Sequence, residues 1–197
     1  MKPGRAAPER YRALDLHAHA LLRDVPLHDV WEVPLAPGSR RRTIADLRAL
    51  MSAEELAEMN PAVRLLFGLR RWLGEVFGWD EDARDAAPSE TLACVPAEVL
   101  ARSDPPPGTP DGPFVLLYAL PDEAVSEIRN ATVHAFSVLS LVRSEDGYRA
   151  IWAIHVAPVG AVTRFYMALI DPFRRFVIYP AMLRHVQRRW AALQDGA

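Results

Sequence analysis

Apolar and polar positions follow a strand-like pattern through most of residues 114–156 and a helical one from about residue 161 onward. The first stretch predicts four strands, at 114–120, 124–129, 132–142 and 148–156, joined by Pro-Asp-Glu, Asn-Ala and Ser-Glu-Asp-Gly turns. The second predicts a long helix over 161–193 with an apolar stripe of Phe165, Leu169, Phe176, Leu183, Val186 and Trp190. Pro172 and Pro180 each lack a donor N–H and crowd the carbonyl four residues back, so two bends or one break are expected.

Upstream, residues 29–35 predict a first strand in which Val30 and Glu32 alternate against Trp31 and Val33. Pro34 marks an edge or an exit from that strand. Thr43 is a suitable N-cap for a helix over 44–58. Asn60-Pro61 opens a second helix with Val63, Leu66, Phe67, Leu69, Leu73, Val76 and Phe77 on one stripe, ended by Gly78. Residues 9–23 carry mixed periodicity that suits a short helix. An irregular region at about 80–113 closes on DPPPGTPDGP, where proline and glycine density predicts an exposed connector.

Hairpin register assigns faces. If Arg143 pairs with Tyr148 and Arg129 with Thr132, one face collects Ile128, Val133, Ala135, Leu139, Leu141, Trp152 and Ile154. That is the expected packing surface for the terminal helix. The other face collects Glu127, His134, Phe136, Val138, Ile151, Ala153 and His155, with Glu127 opposite His134. A carboxylate and two imidazoles there suit general acid–base chemistry or a metal, while the plainer expectation is a water-exposed outer face. Three further candidates are arginines that could hold a ligand carboxylate: Arg70 and Arg71 on the second helix, and Arg164 at the start of the last. The pair His17 and His19 has no third ligand nearby in sequence, and no GxSxG, HExxH or phosphate loop is present.

Composition narrows the classes. Half of the 197 residues are hydrophobic, enough for one sizeable core. A net charge of −2 gives no general attraction to nucleic acid, and Arg40-Arg41-Arg42 is the one short basic run. The single cysteine, Cys94, rules out an internal disulfide and fits a cytoplasmic protein. Residues 1–12 lack the apolar core of a secretory signal. The charges Asp171, Arg174, Arg175, Arg184, Arg188 and Arg189 in the terminal helix argue against a membrane span.

This order of a strand, two helices, antiparallel strands and a long last helix resembles the helix-grip fold of the START-like (SRPBCC) superfamily, which includes plant allergens, lipid-transfer domains and aromatic polyketide cyclases. Within it the chain is similar to a bacterial domain of unknown function, DUF2867, through the strand near Asp29-Val30, the Asn60-Pro61 helix with Arg70, and RFYMALIDPFRRFVIYPAML at 164–183. The Arg-x-Tyr element and Pro-Phe pair of the family correspond to Arg164, Tyr166, Pro172 and Phe173. Two positions depart: Thr132-Val133-His134-Ala135 replaces a His-Leu-Asp-Phe run, and Arg174 stands where His is frequent.

The resemblance implies an α+β domain over 25–197 after an extension at 1–24, with an internal cavity between a curved antiparallel sheet and the terminal helix. The expected function is binding of an apolar small molecule, with cofactor-independent cyclase, dehydratase or isomerase chemistry on a polyketide-like or other carbonyl metabolite as one form of it. Catalytic candidates are His134, His155 and Glu127. Ligand-binding candidates are Arg70, Tyr118, Trp152, Arg164 and Tyr166. No metal, cofactor, nucleic acid or membrane is implied. The alternatives are a hydrophobic-ligand carrier without turnover, or a homodimerising module that uses Phe136, Val138 and Ile151.

Overall fold

The computed structural model describes residues 2–37, 42–51, 90–129, 133–145, 147–157 and 171–195. Seven antiparallel strands form one open sheet in the order β1-β2-β7-β6-β5-β4-β3. They are β1 (Gly4–Arg5), β2 (Leu27–Leu35), β3 (Pro110–Asp111), β4 (Phe114–Ala119), β5 (Glu123–Arg129), β6 (His134–Ser144) and β7 (Gly147–Ala157). Helices α1 (Pro8–Arg12), α2 (His17–Leu21), α3 (Ile44–Leu50), α4 (Glu90–Ala93) and α5 (Ala97–Leu100) are short. A π-helical turn, Arg174–Ile178, runs into the long α6, Tyr179–Asp195. The predicted helix at 60–78, the Arg40-Arg41 pair, and residues 158–170 with Phe165 and Leu169 lie outside the described residues.

The four predicted strands form where the alternation placed them. Arg143 pairs with Tyr148 as expected, and Gly147 closes that turn at φ +131°. A Cβ there would sit 2.6 Å from Leu35 O and Pro37 N, so only glycine fits. At the preceding hairpin the register differs: Arg129 pairs with His134, not Thr132. The loop is two residues longer than an Asn-Ala turn. A shift of two keeps every side chain on its face, which is why the assignment of faces survives.

The helix-facing (front) side holds Trp31, Val33, Leu35, Leu116, Ala135, Leu139, Leu141, Trp152 and Ile154. They pack against Ile44, Leu47 and Leu50 of α3 and Tyr179, Met182, Leu183, Val186 and Trp190 of α6. Thr43 and Asp46 make a capping box at the start of α3. Arg48 of α3 donates to Asp111 at 3.0 Å, and Asp111 also accepts from Ser126, so the proline-rich connector is tied to the sheet as an edge strand.

The opposite (back) face is not a water-exposed surface, as the plainer reading expected. Phe136, Val138, Ile151 and Ala153 are buried under Tyr11, Ala18 and Leu22 from the N-terminal helices and Val95 and Val99 near α4 and α5. Helices therefore cover both faces, and residues 2–24 contribute a strand and two helices to the packed body. The apolar patch expected to pair two copies of the chain is consumed internally.

One local irregularity corrects the expected stripe of the last helix. Leu183, Val186 and Trp190 are buried as predicted, but Phe176 is 80% exposed. The π turn inserts extra arc before Tyr179, and one added residue rotates everything upstream by about 100°. Pro180 explains where it falls. Its ring would crowd the Phe176 carbonyl in a regular helix, and widening the turn relieves that contact without a break.

Candidate functional site

Sequence candidates on the back face separate into three groups. His134 Nε2–H donates to Glu127 Oε1 at 2.5 Å, and Thr91 Oγ donates to the same oxygen at 2.9 Å. Glu127 lies opposite Phe136, so His134 reaches it diagonally rather than directly. The carboxylate fixes the orientation of the imidazole, and the His134 side chain is 20% exposed. Chemically this is an oriented, water-accessible imidazole–carboxylate pair.

His155 joins a different group. Its Nδ1–H donates to Val25 O at 2.9 Å, and Nε2 accepts from the Tyr11 hydroxyl at 3.2 Å. Burial lowers its pKa, the Val25 carbonyl opposes that shift, and His19 adds to it. Both ring nitrogens are thus engaged away from Glu127 and His134. Tyr118 is fully buried and donates to Glu123 Oε1 at 2.8 Å; burial and then the Glu123 carboxylate raise its pKa. Glu123 also accepts from the backbone N–H groups of His17 at 3.0 Å and Ala18 at 2.8 Å, which closes the first turn of α2.

The front face carries the other candidate, Trp152, in an aromatic cluster. Its ring meets Tyr179 edge-on at 4.6 Å, and Trp31 meets Tyr179 at 5.4 Å. Trp152 Nε1 donates to Ser137 Oγ at 2.9 Å. Trp31 Nε1 is buried without an acceptor. Arg174 Nε donates to Tyr179 Oη at 2.5 Å, with the guanidinium 5.1 Å from the ring centre. Burial pushes the Tyr179 pKa up to about 12; Arg174 pulls against this, while Asp29 and Asp171 add to it.

Beside this cluster lies a polar group that sequence reasoning missed. The register of β2 against β7 slips between Leu27 and Asp29, so His28 is the extra residue of a β-bulge. Neighbours on a regular strand point to opposite faces, but the bulge turns His28 and Asp29 toward one cluster. Asp29 is fully buried and pairs with Arg175 at 3.2 Å. Arg5 approaches its other oxygen at 3.1 Å, off the line of a hydrogen bond. Asp171 receives His28 at 2.9 Å and Arg174 at 3.3 Å. The ligand atoms of His28, Asp29 and Asp171 lie within 4.8 Å of one another, close enough for a divalent cation. Three guanidiniums already neutralise the two carboxylates, so the charge balance favours an ion-pair network over a metal. No sequence motif marks the bulge; the one hint was Asp171 before Pro172-Phe173.

A cleft of about 330 Å³ also opens at the β1 edge, lined by Lys2, Arg5, Arg10, Glu32 and Pro34 among others. Glu32 there is paired by Arg10 and by Arg149 at 3.1 Å. Arg70, Arg71, Arg164 and Tyr166 lie outside the described residues. No helix among the described residues is long and apolar enough to cross a membrane.

Residues 21–181 match the family described as protein of unknown function (DUF2867), and the chain belongs to that family. No curated protein matches it.

Proposed function

We propose that the chain binds an apolar small molecule between the front face of its sheet and the terminal helix, in the manner of the START-like helix-grip proteins it resembles. The observation that carries this reading is an asymmetry between the two cores. On the back of β6 and β7, Phe136, Val138, Ile151 and Ala153 are 0–1% exposed. On the front of the same region, Val133, Ala135, Leu139, Leu141, Trp152 and Val156 keep 7–9% exposure, with Ile154 at 5% and Ala150 at 3%. Close-packed interiors leave few voids, so a stripe of side chains that all retain some access fits a space beside them. The seven-stranded antiparallel sheet with a C-terminal helix is compatible with a helix-grip arrangement. The lone Cys94, exposed and free, fits a cytoplasmic setting.

Turnover is a second reading, favoured by the Glu127–His134 pair, whose geometry suits a proton-transfer base. The pair stands on the face opposite Trp152, so a ligand over the front stripe would not meet it. Binding without turnover by these residues is therefore the leading form of the proposal. The test is native mass spectrometry of the chain purified from its own host, followed by denaturing extraction. One apolar molecule per chain supports the pocket, and His134→Ala then separates enzyme from carrier. A chain recovered empty that also takes up no apolar naphthalene probe overturns the reading.

A further inference from the structure

We propose that the cleft at the β1 edge is a binding site for a phosphate monoester, separate from the front pocket. Its construction starts at Glu32, on the back face of β2. This carboxylate is buried, with its side chain 8% exposed, and two guanidiniums reach it. Arg10 comes from α1 and donates to Oε2. Arg149 comes from β7 and places Nε 3.1 Å from Oε1, off the line of a hydrogen bond. One carboxylate cancels one of the two charges, and Lys2 lines the same cleft. Three cations against one carboxylate leave a surplus of two positive charges. Arg5 lines the cleft as well, but Asp29 answers its charge.

Neither guanidinium has another acceptor among the described residues, and both side chains stay open to water, at 52% and 42% exposure. Glu32 holds the two heads at the oxygens of one carboxylate, so their remaining N–H groups can converge on a single oxyanion. A doubly charged phosphate group matches the surplus of two. A carboxylate or a phosphodiester would leave one positive charge unanswered. A concavity walled by one sign of charge also draws such an anion in from solution. The rest of the wall is small and apolar, with Ala6, Ala7 and Pro34. Gly4 leaves its own side open, since a Cβ there would meet nothing within 4 Å. At about 330 Å³ the cleft lies at the lower end of small-molecule sites, and no aromatic ring lines it to stack a base. The ligand chemistry is therefore a phosphate monoester on a small carrier rather than on a nucleotide.

The experiment compares methyl phosphate, a dianion at about pH 8, with dimethyl phosphate, which carries a single charge, by titration calorimetry at low salt. The dianion is expected to bind at least about tenfold more tightly. It should also move the Arg10 and Arg149 Nε–H signals in ¹H–¹⁵N spectra while that of the buried Arg42 stays. Glu32→Gln removes a negative charge but releases the two guanidiniums, so binding should weaken at least about tenfold. Tighter binding by that variant would mean attraction by charge alone and overturns the clamp. If it does not fold, Gly4→Glu serves instead. Gly4 pairs with Glu32 across the strands, so the added carboxylate enters the cleft from its open side and should abolish binding. Vesicles of phosphatidylcholine with phosphatidic acid identify the source of the ester. Retention on them that methyl phosphate relieves assigns a lipid headgroup, and methyl phosphate binding without retention assigns a soluble ester. No binding of methyl phosphate, equal affinities for the two esters, or binding that Gly4→Glu leaves untouched overturns the site. The front pocket shares none of these side chains and stands or falls separately.

Discussion

Replacing Glu123 with glutamine changes one atom and tests whether the N-terminal helices belong to the cooperative fold. The buried carboxylate uses both oxygens: Oε2 takes the His17 N–H, and Oε1 takes the Ala18 N–H and the Tyr118 hydroxyl. Glutamine has one oxygen. Aimed at Ala18 and Tyr118 it keeps two bonds, now neutral, and sets its amide N–H against the His17 N–H. Each charge-assisted bond that becomes neutral loses about 1 kcal/mol, and a buried donor facing a donor adds at least as much. The sum is a destabilisation of about 3 kcal/mol, or about 6–12 °C in Tm for a chain of this size. Urea unfolding followed by tryptophan fluorescence and by far-UV dichroism measures it. A loss under about 0.5 kcal/mol would mean that α1 and α2 open independently and that the back core does not need them.

Acid should weaken the fold through His155. Its pKa is lowered in the native state, so unfolding takes up a proton that the native chain does not hold. The stability it contributes is present above the unfolded value of about 6.5 and is lost as pH falls through it, by at most about 1.4 kcal/mol per unit. A urea midpoint that falls less steeply from pH 7.5 to 5.5 in His155→Gln than in the parent checks the sign. Leu183→Ala should cost about 2–5 kcal/mol and Phe176→Ala less than about 0.5, which reads the rotation imposed by the π turn in a single denaturation series. Gly147→Ala meets backbone at 2.6 Å with φ +131°, so a loss of at least about 2 kcal/mol is expected in the same assay.

Strand positions and faces were legible because a period of two is a property of the residues themselves. The pairing of Arg143 with Tyr148 and the front-face positions of Leu139, Leu141 and Trp152 follow from it directly, and Leu183, Val186 and Trp190 follow from the helical period. The covering of the back face was not legible. Residues 9–23 have too few apolar positions to declare a packed helix, and only their contacts with Phe136 and Val138 make Tyr11 and Leu22 core residues. Of the site, the nearness of Glu127 to His134 was legible from strand parity, although the direct opposition expected for them is a diagonal, with Glu127 opposite Phe136. The separation of His155 from that pair depends on Tyr11 and Val25, which no strand pattern connects to it. The cluster around Asp29 depends on a bulge, and a bulge reverses the parity on which such reasoning rests.

Backbone irregularity carries a cost, and its location is informative for that reason. Three irregularities occur among the described elements. The bulge at Leu117 is explained by packing, since it turns both Leu117 and Tyr118 into the back core, where they are fully buried. The bulge at His28 has no such return, whereas the π turn at Arg174–Ile178 relieves the crowding of the Pro180 ring. One directs a histidine and a buried carboxylate into a polar cluster, and the other leaves Phe176 in water while bringing Arg174 to Tyr179. Both fall at the same end of the front core, on either side of Trp31 and Tyr179, whereas Glu127 and His134 sit on an undistorted ladder. If the chemistry of this chain were carried by that ladder, the bulge at His28 would be a cost without a use. The polar cluster that it builds near Tyr179 is the physical reason to test His28, Asp29 and Asp171 by substitution before the ladder.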